Sequence, residues 1–137
     1  MQVISGLSHI TLIVKDLEKT AALYKRIFEA QEIYSSAEHT FSLAREKFFL
    51  VGGLWLYLME GEPLPQRTYN HIAFKVEENA LEDFIDRIHS SGVEIKPERP
   101  RVAGEGRSIY FYDYDNHLFE LHTGTLEERL ARYAREE

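Results

Sequence analysis

The chain contains no cysteine. That excludes disulfides, thiolate metal ligands and a cysteine nucleophile together, so a bound metal must rest on imidazole, carboxylate or water. Six histidines are present to serve it. No apolar run approaches the roughly 20 residues that a membrane-spanning helix needs. The segment Met1 to Gly6 has no basic stretch leading into an apolar one, the mark of a signal peptide. These absences predict a cytoplasmic protein. Positive charge is also scarce: 16 Lys and Arg against 23 Asp and Glu leave a net charge of −7. A chain so charged has no general attraction for phosphate backbones or anionic membranes, so neither nucleic acid nor membrane is an expected partner. What remains is 137 residues, 44% hydrophobic and 28% charged, an ordinary globular mix with enough length for one core.

The sequence repeats. Ser8 to Val14 and Asn70 to Val76 both read as strands, and an offset of 62 places His9 on His71, Val14 on Val76 and Leu23 on Ile85. The same offset sets Leu58 on Glu120. In the first strand Ile10, Leu12 and Val14 share one face and His9, Thr11 and Ile13 the other; in the second, Ile72, Phe74 and Val76 oppose His71, Ala73 and Lys75. A helix follows each strand. The first is capped by Asp16, with Leu17, Ala21, Tyr24 and Phe28 as its stripe. The second has Asn79 and Glu82 at capping-box spacing, a stripe of Leu81, Phe84, Ile85 and Ile88, and Gly92 as its stop. Short strands are expected over 31–36, 40–43, 47–51 and 54–60, then over 93–96, 107–113 and 118–122. The reading is therefore an α+β domain of paired βαβββ modules, about 5–61 and 68–124, joined by the Pro-containing stretch 61–67. A third helix, about 125–135, opens with the capping box Thr125 to Glu128 and carries Leu126, Leu130 and Tyr133 as its stripe.

His9 and His71 hold matched places in the two modules, each opposite apolar neighbours. Two imidazoles facing one cavity make two-thirds of a 2-His-1-carboxylate site, which keeps coordination positions open for a substrate. Glu120, set between Phe119 and Leu121, fits as the carboxylate, because burying it is costly unless it is paired or metal-bound. His122 shares its strand parity, and periodicity leaves both open. His117 falls in the turn 113–117, where exposure is expected; His39 and His89 read as loop and helix-surface residues. Glu46 lies between Arg45 and Lys47, ahead of Phe48 and Phe49. A solvated turn charge is the reading that this context favours, with a general base polarising water as the functional alternative. Arg99, Arg101 and Arg107 cluster near Gly104 to Ser108, a cationic patch suited to a small anion. Tyr110 and Tyr112 share a strand face with Ser108, so their hydroxyls can line the same cavity.

These features resemble the vicinal oxygen chelate superfamily, of glyoxalase-like fold, and within it the fosfomycin-resistance proteins of the FosX type. The resemblance covers essentially the whole chain and is carried by residues 6–11, 67–74, 108–113 and 119–126. It implies cupped, incomplete mixed β-barrels in a domain-exchanged homodimer, with sites completed by strands from both chains. It implies a divalent cation, most commonly Mn²⁺, on His9, His71 and Glu120, and so not on His122. The residues matching substrate contacts are Thr11, Tyr69, Arg99, Ser108, Tyr110 and Arg129. Relatives on this scaffold add glutathione, a small bacterial thiol or water; the water-adding type uses a glutamate base, and Glu46 falls at that place. Gly104 and Arg107 stand where the glutathione type has a K⁺-binding loop with oxygen-bearing side chains, which favours water. The implied activity is a metal-dependent epoxide hydrolase acting on fosfomycin. Thiol transfer, isomerisation, Fe²⁺ ring cleavage and antibiotic sequestration are the alternatives on the same fold.

Overall fold

The structure, a computed structural model, describes residues 3–37, 44–98 and 103–135. It divides into two compact units, 1–64 and 65–137. The strand expected over 40–43 and the residues His39, Arg99 and Arg101 lie outside the described residues.

The first unit runs β1 (His9–Val14), α1 (Leu17–Phe28), β2 (Gln31–Ser35), β3 (Glu46–Val51) and β4 (Leu54–Glu60). Its sheet has the order β1-β4-β3-β2, with β1 parallel to β4 and the other pairs antiparallel. The Asp16 side chain accepts a hydrogen bond from Lys19 N at 3.0 Å and so caps α1 as its sequence predicts. The buried stripe of α1 is Leu17, Ala21, Leu23, Tyr24 and Ile27, while Phe28 is only half-buried. The stripe shifts because 3.6 residues per turn brings Leu23 and Ile27, four apart, onto the sheet side. Leu12, Val14, Phe49, Leu56 and Leu58 complete this core from the strands.

The second unit repeats the order: β5 (His71–Lys75), α2 (Leu81–Ser90), β6 (Ile95–Lys96), β7 (Ser108–Tyr112), β8 (Leu118–His122), then α3 (Leu126–Arg135). Its sheet is β5-β8-β7-β6, with β5 parallel to β8. Phe111 and Phe119 are fully buried and stack at 5.5 Å between ring centroids; Ile109, Leu121, Leu81 and Ile88 join them. The Asn79 capping box is not formed. Asn79 lies inside a 3₁₀ turn, Glu78–Ala80, that leads directly into α2, whose capping residue Ala80 has no side-chain bond to give. The Thr125 box is formed, Thr125 Oγ1 accepting from Glu128 N at 3.1 Å. Leu126, Leu130 and Tyr133, the stripe of α3, are exposed.

The two modules do not superpose at one offset. In the first, the β3–β4 hairpin closes with two residues, Gly52 and Gly53, both at positive φ as a two-residue turn of this kind demands. In the second, Asp113 N bonds to the His117 carbonyl across three residues, with Asn116 in the left-handed region. One extra turn residue moves β8 by one position relative to β4. His9 faces Trp55 across the parallel pair, whereas His71 faces Leu118, so the counterpart of Glu120 is Tyr57 and not Leu58. Leu58 is fully buried on the opposite face.

That longer turn also corrects the expectation for His117. It is buried, with Nδ1 2.8 Å from Asp113 Oδ2, while Asp113 Oδ1 accepts from the backbone of Asp115 and His117. The aspartate satisfies the turn's donors, so His117 is a structural partner and not a surface group.

Candidate functional site

The register of the first unit gathers His9 and Thr11 of β1, Trp55 and Tyr57 of β4, and Glu46 and Phe48 of β3 on one sheet face. The His9 ring lies 4.3 Å from Trp55, and its Nδ1 is 2.9 Å from Ser8 Oγ. Thr11 is exposed on the same face. Glu46 is the first residue of β3, 4% exposed, and not a turn charge. Its neighbours in sequence do not neutralise it: Arg45 pairs with Glu60 and Lys47 with Glu32, on other sides of the strand. Instead the Tyr57 hydroxyl donates to Glu46 Oε2, and Glu46 N donates to Ser36 Oγ. A carboxylate brought this far from water costs several kcal/mol unless it is hydrogen-bonded, and Tyr57 supplies that bond.

In the second unit the equivalent face carries His71 on β5, Glu120 and His122 on β8, and Ser108 and Tyr110 on β7. Glu120 is 7% exposed and flanked by buried Phe119 and Leu121. His71 Nδ1 lies 2.7 Å from the Tyr69 carbonyl oxygen, to which it donates. Its Nε2 lies 3.0 Å from Glu120 Oε1. An imidazole nitrogen and a carboxylate oxygen at this distance are both donor types that a divalent cation takes as ligands. The carboxylate oxygen suits a hard cation such as Mn²⁺, with the imidazole nitrogen as its softer companion. Among the described residues no three His, Cys, Asp or Glu side chains form one metal-holding group; the second unit supplies two donors, and His9 belongs to the first.

The remaining predicted contacts divide. The Tyr69 and Tyr110 hydroxyls lie 3.1 Å apart. Burial, with the hydrogen bond that its hydroxyl gives to Tyr69 and the charge of Glu120, pushes the Tyr110 phenol far above its ordinary range, so it stays protonated. Ser108 is bound to Glu120, donating from its Oγ to Oε2 at 2.6 Å. Arg107 is not a free cation of a patch: Glu98 grips it at 2.7 and 2.9 Å and Glu82 lies at 3.4 Å. Arg129 is the better anion ligand. Its Nε is buried without a hydrogen bond, Glu105 lies 3.4 Å away, and Glu105 also holds Arg132 at 2.8 Å. One carboxylate shared by two guanidiniums leaves the cluster cationic. The bond to Tyr133 and the nearby carboxylates Glu105 and Glu120 outweigh burial and raise the Arg129 pKa, so it is charged at any working pH.

Sequence reasoning missed Tyr57 and Glu105. Tyr57 was legible: in 54–58, Trp55 and Tyr57 alternate with three leucines and so share the His9 face. Glu105 had no such signal. Its loop is set by backbone contact, since a Cβ on Gly106 would meet Gly124 N at 2.5 Å and one on Gly124 would meet the Glu105 carbonyl oxygen at 2.7 Å.

Comparison with known proteins adds three findings. Residues 6–121 match the model of the Glyoxalase/Bleomycin resistance protein/Dioxygenase superfamily. The chain is 68% identical over 130 residues to the fosfomycin resistance protein FosX of Listeria monocytogenes, covering 95% of this chain and 98% of that one. It is 55% identical over 132 residues to FosX of Mesorhizobium japonicum, covering 96% and 95%. Among solved structures, a single-site mutant of Listeria monocytogenes FosX complexed with Mn(II) and 1S,2S-dihydroxypropylphosphonic acid matches with a TM-score of 0.87. It is 63% identical, over 96% of this chain and 99% of that one.

Proposed function

The chain belongs to the FosX family of fosfomycin resistance proteins, within the glyoxalase/bleomycin resistance protein/dioxygenase superfamily, and we propose that it is a metal-dependent hydrolase that opens the epoxide of fosfomycin with water. The observation that carries the choice of water is Glu46: a buried carboxylate, on the sheet face of His9 and Thr11, with one oxygen held by a tyrosine hydroxyl.

On this reading His9, His71 and Glu120 would hold the cation, Mn²⁺ by preference. The cation supplies Lewis-acid polarisation of the epoxide oxygen. The Tyr57 bond to Oε2 fixes the Glu46 carboxylate and leaves Oε1 to take a proton from water as that water attacks an epoxide carbon. The ring C–O bond breaks, its oxygen takes a proton from solvent, Glu46 returns its own proton to solvent, and the product is a vicinal diol. Arg129, Tyr69 and Tyr110 hold the phosphonate, with Thr11, Ser108 and Arg99 as further contacts of the substrate. The guanidinium and the phenol hydroxyls can donate, as a dianion requires. The working form proposed is a homodimer in the cytoplasm, sites being completed by strands of both chains; no helix among the described residues is long and apolar enough to cross a membrane.

The test follows fosfomycin by phosphorus NMR without any thiol. Loss of the epoxide signal with Mn²⁺, and its persistence after chelation by EDTA, is the expected result. Turnover that persists in EDTA contradicts the metal role, and turnover only on adding glutathione or another thiol contradicts hydrolysis.

A further inference from the structure

Glu120 uses its two oxygens differently. Oε1 faces His71 Nε2 at 3.0 Å, while Oε2 points the other way and is 2.6 Å from Ser108 Oγ. Ser108 Oγ is in turn 2.6 Å from His122 Nδ1, which itself lies 3.4 Å from Glu120 Oε2. A hydroxyl has one proton to give. When Ser108 gives it to the carboxylate, His122 must be the donor to Ser108, so its ring carries a proton on Nδ1. The chain His122 to Ser108 to Glu120 therefore runs in one direction and ends on the oxygen that does not face His71. All three residues lie on adjacent strands, with Ser108 opposite His122 in the β7–β8 register. The imidazole is fenced on its far edge, where a Cβ on Gly124 would come within 2.8 Å of His122 Nε2.

We infer that His122 is a positioning residue for the metal-binding carboxylate: acting through the Ser108 hydroxyl, it holds Glu120 Oε2 so that Oε1 is presented to the cation. This assigns His122 a place behind the ligand set, and it gives Ser108 a role on the metal side besides any contact with substrate. The inference rests on the reading of His71 and Glu120 as metal ligands. A hydrogen bond to the outer oxygen removes the carboxylate's freedom to rotate and raises the fraction of time its inner oxygen is in place. Losing such an outer partner typically weakens metal binding about 10- to 100-fold.

The test is Mn²⁺ affinity of the full chain, read by electron paramagnetic resonance of free Mn²⁺ and independent of turnover. His122→Leu is expected to weaken binding by about tenfold or more. Ser108→Ala should do the same, and the double variant should lose little beyond either single one, because both act along one path. His122→Asn keeps a donor near the Nδ1 position and should return affinity to within about threefold of the parent chain. Unchanged affinity in His122→Leu overturns the inference, as does an Asn variant no better than Leu or full additivity in the double variant. If His122→Leu does not fold, the Asn and Ser108→Ala comparisons still decide it. A parent chain that binds no Mn²⁺ instead refutes the ligand reading itself.

Discussion

Glu46 and Ser108 occupy the same place in the two modules, and each makes a diagonal hydroxyl–carboxylate bond to the neighbouring strand. In the first module the carboxylate is on β3 and the hydroxyl, from Tyr57, is on β4. In the second the hydroxyl is on β7 and the carboxylate, Glu120, is on β8. Residues on one sheet face two positions off direct register are close enough for such a bond. The duplicated scaffold thus offers one geometry twice, with donor and acceptor exchanged. The proposed function uses one carboxylate as a metal ligand and the other for proton transfer.

Glu46→Gln should therefore suppress turnover by about 10²- to 10⁴-fold, the usual worth of a general base. Mn²⁺ affinity and fosfomycin binding, measured by calorimetry, should change little. Hydrolysis at the parent rate removes Glu46 from the mechanism.

Tyr57→Phe deletes the hydroxyl that steadies Glu46 and leaves a buried carboxylate short of one donor. The expected result is a kcat lowered about tenfold, the worth of one hydrogen bond to a charged group, with metal affinity unchanged. Steady-state kinetics at saturating Mn²⁺ checks it.

Arg129→Ala removes the guanidinium that lies 3.4 Å from Glu105. A charge-assisted bond to a phosphonate is worth roughly 1.5–3 kcal/mol, so KM for fosfomycin should rise about 10- to 100-fold. Inorganic phosphate should weaken as a competitive inhibitor in parallel. An unaltered KM with a reduced kcat would place Arg129 elsewhere in the reaction.

Glu32 gives a pH-dependent stability. Burial opposes its ionisation, but hydrogen bonds from Lys25 and Lys47 outweigh it and hold the carboxyl below its ordinary value of 4.5. A folded-state pKa below the unfolded one contributes stability above the unfolded value and loses it as pH falls through the folded value. Glu32→Gln should thus melt below the parent chain at pH 7, by an amount equivalent to at most about 1 kcal/mol. The gap should close as the pH drops below 4.5. A gap that widens in acid contradicts this assignment.

Much of the fold was written in the spacing. Alternation in 9–14 and 71–75 gave both His faces, and Asp16 and Thr125 cap the helices that their positions predict. The failures have physical causes. Leu58 was matched to Glu120 because a constant offset hides the extra residue in the 113–117 turn. His117 was misplaced because Asp113, which buries it, is visible only once the turn closes. Glu46 looked solvated because its flanking cations are neighbours in sequence alone, and its true partner lies on the next strand. Arg107 looked available for an anion because Glu82 and Glu98, distant in sequence, converge on it only in the fold.

The central claim is that water, activated by Glu46, is the nucleophile. It is tested most directly by turning over fosfomycin with Mn²⁺ in ¹⁸O-water, with and without thiols, and weighing the product by mass spectrometry. The account predicts a diol carrying one solvent-derived oxygen, formed equally well in both. A thiol adduct as the product, or no product until a thiol is added, would contradict it.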